Sequence, residues 1–206
     1  MMGGLMGGLM GGLKGGVMTP RQRIERVAGD ILARDGYNGM GLKAVSEAAG
    51  LPYGSIYHHF PGGKEDIAIA AITARAVWIT GLIEQCFADG VNRASVHAMF
   101  AFMADRLERS EWVDGCAVGT PALDGSSDSA RIREACEAAF VTMIEPIAAA
   151  LRRQGVRRAA AHDLATTIMA TYEGAMILAR TQRSRAPMKI AADSMIRLVA
   201  AMMPDR

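Results

Sequence analysis

Residues 42–60 read LKAVSEAAGLPYGSIYHHF, and this stretch decides how the chain folds. The apolar residues of its first half fall at helical spacing, and Gly50 is placed to end a helix of two turns. Pro52 then opens a second short helix over residues 53–59, in which Ile56 faces inward. Two short helices joined by a tight turn that contains glycine predict a helix-turn-helix.

The residues before this stretch predict a longer amphipathic helix over about residues 20–35. Thr19 can cap it, Pro20 suits its first position, and Gln22 stands three residues after the cap. Gly36 is placed to end it. This helix and the helix-turn-helix together predict a three-helix unit.

Further apolar runs at helical spacing predict a larger helical body. Long helices are expected over about residues 64–88, 94–109, 129–154, 160–183 and 187–203. The third of these begins at a cap on Asp128 or Ser129, and Pro146 is expected to kink it. Residues 115–128 are irregular or a short helix. The fold class expected is all-α, with about nine helices.

The composition agrees with this fold class and limits the function. Half of the residues are hydrophobic and only 5% are aromatic, which favours helices over sheets. The net charge of +2 gives no strongly basic field, so any nucleic-acid binding must come from a local surface. The three cysteines indicate free buried thiols in a reducing cytosol, and a cytoplasmic protein is expected.

Residues 1–18 are predicted to be a flexible tail. The first sixteen, MMGGLMGGLMGGLKGG, are half glycine, which disfavours a helix. No apolar run approaches the roughly 20 residues that span a bilayer, so no membrane association is expected. Met18 stands directly before the first helix start and is a hypothetical translation start, which the intact mass of the natively expressed protein tests.

Residues 21–67 resemble the DNA-binding domain of the TetR family of bacterial transcriptional regulators. The resemblance rests on the amphipathic first helix, the Gly-Tyr loop, the VSEAAG end of the second helix and the YHHF motif followed by Lys-Glu. The body is similar to the LmrA/YxaF-like branch of that family. The residues that carry this second likeness are Gly115-Cys116-Ala117-Val118, Ala122-Leu123, Phe140, Tyr172-Glu173-Gly174-Ala175 and the long loop Pro61-Gly62-Gly63-Lys64.

The resemblance implies a helix-turn-helix domain at residues 19–66 and a ligand-binding and dimerisation domain at residues 67–206. It implies a homodimer that binds a palindromic double-stranded DNA operator in successive major grooves and releases it when a small, mostly apolar effector binds. A repressor is expected, with an activator as the alternative. Gly41-Leu42 stands where many members have a threonine that bonds DNA phosphate, so that contact is in doubt.

The predicted DNA contacts divide by chemistry. Small or polar residues at the start of the second short helix suit the major groove, and residues with long hydrogen-bonding side chains suit the phosphates. The first set is Pro52, Tyr53, Gly54 and Ser55, and the second is Lys43, Tyr57, His58 and Lys64. Lys64 also stands at a helix amino terminus, which favours an anion. Packing of Tyr57 against the first helix and a merely solvated Lys43 are the alternatives, and His59 is expected to be internal.

The remaining candidates lie in the body. The expected ligand pocket is lined by Trp78, Phe100, Trp112, Met143 and Tyr172. The expected dimer interface is formed by Gly174, Ala175, Leu178, Leu198 and Val199, with a buried monomer core as the alternative for these residues.

No metal site, cofactor or catalytic residue is predicted. Adjacent histidines on a helix point about 100° apart, so His58 and His59 rarely share one ion. The chain contains no GxSxG, HExxH or phosphate-cradling motif, and it is not expected to be an enzyme. Two alternatives stay open: an enzyme or carrier with an incidental helix-turn-helix, and a purely structural helical dimer.

Overall fold

The computed structural model describes residues 18–125 and 129–203. Within these ranges the chain forms nine α-helices and no strand, which confirms the all-α prediction. The helices are α1 (Pro20–Gly39), α2 (Leu42–Ala49), α3 (Tyr53–His59), α4 (Lys64–Cys86), α5 (Arg93–Arg109), α6 (Gly119–Asp124), α7 (Ala130–Arg153), α8 (Arg158–Gln182) and α9 (Ala186–Met202). The predicted tail lies outside the described residues, apart from Met18.

The start of α1 is a complete capping box. The Thr19 hydroxyl accepts the Gln22 backbone N–H at 3.2 Å, and the Thr19 backbone N–H donates to Oε1 of Gln22 at 3.0 Å. The other end differs from the prediction. Gly36 leaves the helical conformation with φ of +74°, as expected of a stop signal, but helical turns resume as far as Gly39.

The helix-turn-helix forms where the sequence predicts it. Gly50 ends α2 in the left-handed conformation, with φ of +62°. The Ser46 hydroxyl then donates to the Leu51 carbonyl at 2.7 Å and closes the turn. Ile24, Leu32, Met40, Val45, Ile56 and Phe60 are fully buried or nearly so and form the core of this unit.

Helix α4 is the central element of the molecule. Its buried residues pack against α1 in its first half and against α7 along its length: Ile67, Ala68, Ala71, Ile72, Ala76 and Ile83. In the described part of the chain it is the one helix long and apolar enough to cross a membrane by length and composition. Its packing against α1 and α7 accounts for part of this composition, since 33% of the apolar window is buried.

Helices α5 to α9 form the body. Asn92 caps α5, accepting backbone N–H groups from Ala94 at 2.8 Å and Ser95 at 3.1 Å. Ser129, one of the two predicted caps of α7, accepts the Ile132 N–H at 3.1 Å, while Asp128 lies outside the described residues. α7 continues through Pro146 to Arg153. All three cysteines are free; Cys116 and Cys136 are buried and Cys86 is half-buried.

Replacing Gly36 with alanine should lower the free energy of unfolding by about 1–3 kcal/mol, because a residue with a side chain is strained at positive φ. The new Cβ would also meet the Asp124 carboxylate. Gly54→Ala is the matched control, since a Cβ there meets no atom within 4 Å and the residue is helical. Urea unfolding at one protein concentration compares them, and equal midpoints for the two variants would refute this account of Gly36.

Candidate functional site

Helix α3 exposes most of its surface. Ile56 is its buried residue, while Tyr53 and Tyr57 are 49% and 47% exposed and their rings meet edge to face at 5.9 Å. The other predicted contacts on this short helix and its cap are Pro52, Gly54 and His58, which are exposed, and Ser55, which is partly buried. The structure therefore places the six predicted contacts of this region on one short element, and Tyr57 does not pack into the core.

The carboxyl end of α3 is fixed to α1 by a residue that sequence reasoning missed. Arg21 donates to the His59 carbonyl at 3.1 Å, and its guanidinium lies 4.4 Å from the centre of the Phe60 ring. His59 itself is partly buried. Arg21 therefore holds α3 in place against α1.

The two predicted lysines differ in their surroundings. Lys43 on α2 is 86% exposed, and its nearest acidic partner is Glu47 at 3.9 Å, so its amine is available to a phosphate. Lys64 is partly buried, donates to the Asn38 carbonyl at 3.3 Å and lies 4.6 Å from the Tyr37 ring centre. An ammonium has three donors, so Lys64 can still reach an anion, but its first role here is to join α4 to α1.

The amino terminus of α4 is tied to the body by charge. Arg131 on α7 pairs with Glu65 and with Asp66, the latter at 2.9 Å. Hydrogen bonds from Ser129 and Arg131 lower the pKa of Glu65, and Arg131 with the Gly62 backbone N–H lowers the pKa of Asp66. These two acids already occupy the first turn, so the helix end is less open to an external anion than the sequence predicts.

A second connection joins the body to α1. The Asp124 carboxylate at the end of α6 accepts the backbone N–H groups of Tyr37 at 3.0 Å and Asn38 at 2.8 Å. The Asn38 side chain donates back to the Asp124 carbonyl at 3.0 Å. Gly36 leaves room for this carboxylate, which explains why the chain has a glycine there.

The body contains an apolar, partly open cavity of about 70 Å³ lined by α4, α5, α7, α8 and residues 115–117. Three of the predicted pocket residues line it: Trp78, Met143 and Tyr172. Phe100 and Trp112 do not. On α5 the residues facing the cavity are Ala98, Met99, Phe102, Met103 and Arg106. Phe100 lies off that helical stripe, is fully buried and packs its ring edge to face behind Tyr172 at 5.3 Å. Trp112 lies in the turn after α5 with φ of +66°.

One carboxyl group, that of Glu173 on α8, lines this apolar cavity. Burial raises the pKa of Glu173 from its ordinary value of 4.5 to about 7, an effect opposed by a hydrogen bond from the Cys116 thiol. Burial and the neighbouring Glu173 raise the pKa of Cys116 well above its usual range. In the described part of the chain, Glu173 takes part in no ion pair, so it is a partly buried acid without a cation.

The two arginines that line the cavity are already paired. Arg75 bonds Asp30 at 2.6 Å, and Arg106 pairs with Asp114 at 3.1 Å and approaches Asp30 at 4.0 Å. Their positive charges are thus balanced from outside the cavity.

The predicted dimer residues divide into two groups. Gly174, Leu178 and Leu198 are exposed on α8 and α9, next to exposed Ile177 and Met202. Ala175 and Val199 are 5% and 4% exposed, and they belong to the core of the single chain. For these two positions the burial within the single chain matches the buried alternative, although each lies one helical turn from an exposed residue, Leu178 and Met202 respectively.

Among described residues, no group of three His, Cys, Asp or Glu side chains could hold a metal ion.

Comparison with known proteins identifies the family. Residues 26–71 match the profile of bacterial regulatory proteins of the tetR family, and residues 93–194 match that of the LmrA/YxaF-like transcriptional regulator C-terminal domain. The HTH-type transcriptional regulator LmrA of Bacillus subtilis is 30% identical over 169 residues, which cover 82% of this chain and 90% of that protein. The chain belongs to the TetR family.

Two further relatives agree with this assignment. The HTH-type regulator YxaF of Bacillus subtilis is 28% identical over 180 residues, which cover 87% of this chain and 94% of that protein. A TetR transcriptional regulator from Legionella pneumophila has the same fold, with a TM-score of 0.78 at 23% identity over 88% of this chain and 98% of that one. This TetR-family protein is a DNA-binding transcriptional regulator, as the sequence predicts.

Glu173 is the functional candidate that sequence reasoning left without a role. It stands four residues after Met169 and three before Met176, so helical spacing places it on an apolar stripe. A single acid on such a stripe is a sequence signal for a buried carboxyl group. Asp124 gave no such signal, because its partners on α1 lie 86 and 87 residues away in sequence.

The raised pKa of Glu173 makes stability depend on pH. Because the folded state holds this proton more tightly than the unfolded chain, the contribution is complete below about pH 4.5 and is lost as pH rises through about 7. Between pH 5 and 8 the wild type should therefore lose on the order of 2–3 kcal/mol more than Glu173→Gln. Urea unfolding of both proteins across this range measures the difference, and parallel pH profiles would contradict the assignment.

Proposed function

We propose that this TetR-family regulator is a cytoplasmic homodimeric repressor that releases a palindromic operator when a small, mostly apolar effector enters the cavity. The observation that carries the proposal is the path of α4. Four residues separate this helix from the end of α3, and its second half, from Arg75 to Cys86, forms one wall of the cavity. A change in the cavity wall is thus a change in the helix that supports α3.

The exposed side of α3 supplies the DNA-reading surface. Gly54 has open space around it, so the backbone can approach base edges closely, and Tyr53 and Ser55 provide hydrogen-bonding groups beside it. Tyr57 and His58 lie further along the helix, where their polar tips can reach phosphates. Lys43 adds a free positive charge from α2.

The small size of the cavity supports a coupling between effector binding and operator binding. A volume of about 70 Å³ is well below the roughly 300–1,000 Å³ of sites that hold drug-sized ligands. An effector must therefore widen the cavity, and α4 is the wall that leads to the DNA-reading unit. The effector acts by binding the widened conformation better than the conformation that fits the operator.

The connection through α6 supports the same direction of coupling. Gly119 at the start of α6 lies against the Glu173 carboxyl group, and Asp124 at its end holds the N–H groups of Tyr37 and Asn38. Widening of the cavity would therefore displace α1 as well as α4.

The exposed apolar residues of α8 and α9 support the homodimer. Ile177 and Leu178 are 50% and 52% exposed, and Leu198 and Met202 are 36% and 43% exposed on the neighbouring helix. A second copy that covers this face would place two α3 helices on one DNA duplex. Half-sites about 34–36 Å apart match one turn of B-DNA.

The test is a titration of the DNA upstream of its own gene with the protein at several salt concentrations. Fluorescence anisotropy of the labelled DNA measures the binding. Sequence-specific binding with a steep salt dependence is expected, since phosphate contacts release counterions. Lys43→Ala should weaken binding to all sequences and reduce the slope of log K against log salt by about 1.

Lys189→Ala is the matched control for Lys43→Ala. Lys189 on α9 is 74% exposed and pairs with an acid four residues later, as Lys43 does, but it lies in the body. The control should bind DNA as the wild type does. An equal loss in both variants, or binding without sequence preference in the wild type, would rule out the proposed surface.

A further inference from the structure

The lining of the cavity combines aromatic rings, methionines and one unpaired acid. Trp78, Phe102 and Tyr172 contribute rings, and Met99, Met103, Met143 and Met169 contribute flexible thioethers. Methionine side chains adapt to ligands of different shape, so the wall can accept an aliphatic or aromatic body. The polar chemistry of the ligand must be matched by the few polar groups present.

Among those groups, Glu173 alone is an ionisable acid that forms no ion pair, while the buried Nε–H of Arg106 has no hydrogen-bond partner. The positive charges of Arg75 and Arg106 are balanced by Asp30 and Asp114. The thiols of Cys86 and Cys116 and the phenol of Tyr172 are neutral, because burial raises the pKa of each. A buried carboxylate without a cation is costly, and a ligand that brings the cation offsets this cost.

The aromatic rings favour the same ligand chemistry. A cation over the face of a tryptophan or tyrosine ring is attracted by its quadrupole. Trp78 already accepts one cation in this way, since the Arg75 guanidinium lies 5.6 Å from its ring centre. The Trp78 ring lies 6.1 Å from that of Phe102, so two aromatic side chains stand together at the cavity wall.

We infer that the effector is a cationic amphiphile: an amine whose ammonium group pairs with the Glu173 carboxylate and whose apolar body lies among Trp78, Phe102 and the methionines. This inference rests on the proposed function, because it assigns the ligand class of the same cavity. Repulsion from Glu173 disfavours a carboxylate ligand, and a neutral ligand leaves that acid without a cation.

Three probes of equal length test the charge preference: hexylamine, hexan-1-ol and hexanoate. Isothermal titration of the full-length protein at pH 8, where Glu173 is mostly ionised, should show hexylamine binding about 10- to 100-fold more tightly than hexan-1-ol. Hexanoate should bind most weakly. Glu173→Gln should abolish the preference, so that hexylamine binds no more tightly than hexan-1-ol, without changing the affinity for hexan-1-ol.

The matched control is Glu84→Gln, which removes an exposed acid from α4 and should leave the preference for the amine unchanged. The pH dependence of the wild type provides a test that needs no variant. Protonation of Glu173 between pH 8 and 5.5 should weaken binding of hexylamine but not of hexan-1-ol. No other residue lining the cavity changes charge in this range, since Arg75 and Arg106 stay charged and the thiols and Tyr172 stay neutral.

The outcomes separate this inference from the proposed function. Equal binding of amine and alcohol by the wild type, or an amine preference that persists in Glu173→Gln, overturns the ligand class and leaves the repressor proposal standing. Failure of all three probes to bind also overturns the ligand class. The proposed function is overturned by a different result, the loss of specific DNA binding in the titration described above.

Discussion

Arg131 on α7 contacts both Glu65 and Asp66 in the first turn of α4, and this contact ties the amino terminus of α4, which follows the helix-turn-helix, to the body. Isolated surface ion pairs contribute little to stability. Here one arginine holds two acids while Ser129 holds the first of them, so the position of the α4 amino terminus is defined by several bonds together. The orientation of α3 depends on this arrangement, because only the loop of residues 60–63 separates it from α4.

The opposite half of α4 has two buried residues, Ala76 and Ile83, and faces a cavity. Trp78 is 38% exposed, and the side chains across from it include methionines, which adapt their shape easily. Because α4 is fixed at its amino terminus and can adjust at the cavity, a shift of its cavity half can change the orientation of the half next to α3. The acid in the cavity adds a chemical preference to this mechanical arrangement, because Glu173 is stabilised in its neutral form until a cation arrives.

Local features of the fold were predictable because their causes lie within a few residues. The capping box of Thr19 and Gln22, the left-handed Gly50 and the Ser129 cap all depend on near neighbours. Contacts between distant segments were not predictable. Asp124 reaches α1 across 86 residues and accepts the Asn38 N–H in the helical turns that follow Gly36.

The candidate sites show the same difference between features with local causes and features that depend on distant contacts. The residues of α3 share one short helix, so their exposure follows from helical periodicity once Ile56 is placed inward. Which side of α5 faces the cavity depends on the packing of four helices, and Phe100 was therefore misplaced. Ala175 and Val199 were misplaced for a related reason: small and apolar residues suit a dimer interface and a monomer core equally well.

The central claim is that a filled cavity and a bound operator exclude each other, and a substitution that fills the cavity tests it without any ligand. Ala98 on α5 lines the cavity, whereas Ala94 on the same helix is exposed. Operator affinity should be measured for Ala98→Phe and Ala94→Phe, after circular dichroism and sedimentation show that both are folded and equally dimeric. The account predicts that Ala98→Phe binds about 5- to 150-fold more weakly, the usual range of allosteric coupling, and that Ala94→Phe binds as the wild type does. Wild-type affinity in a folded Ala98→Phe protein would contradict it.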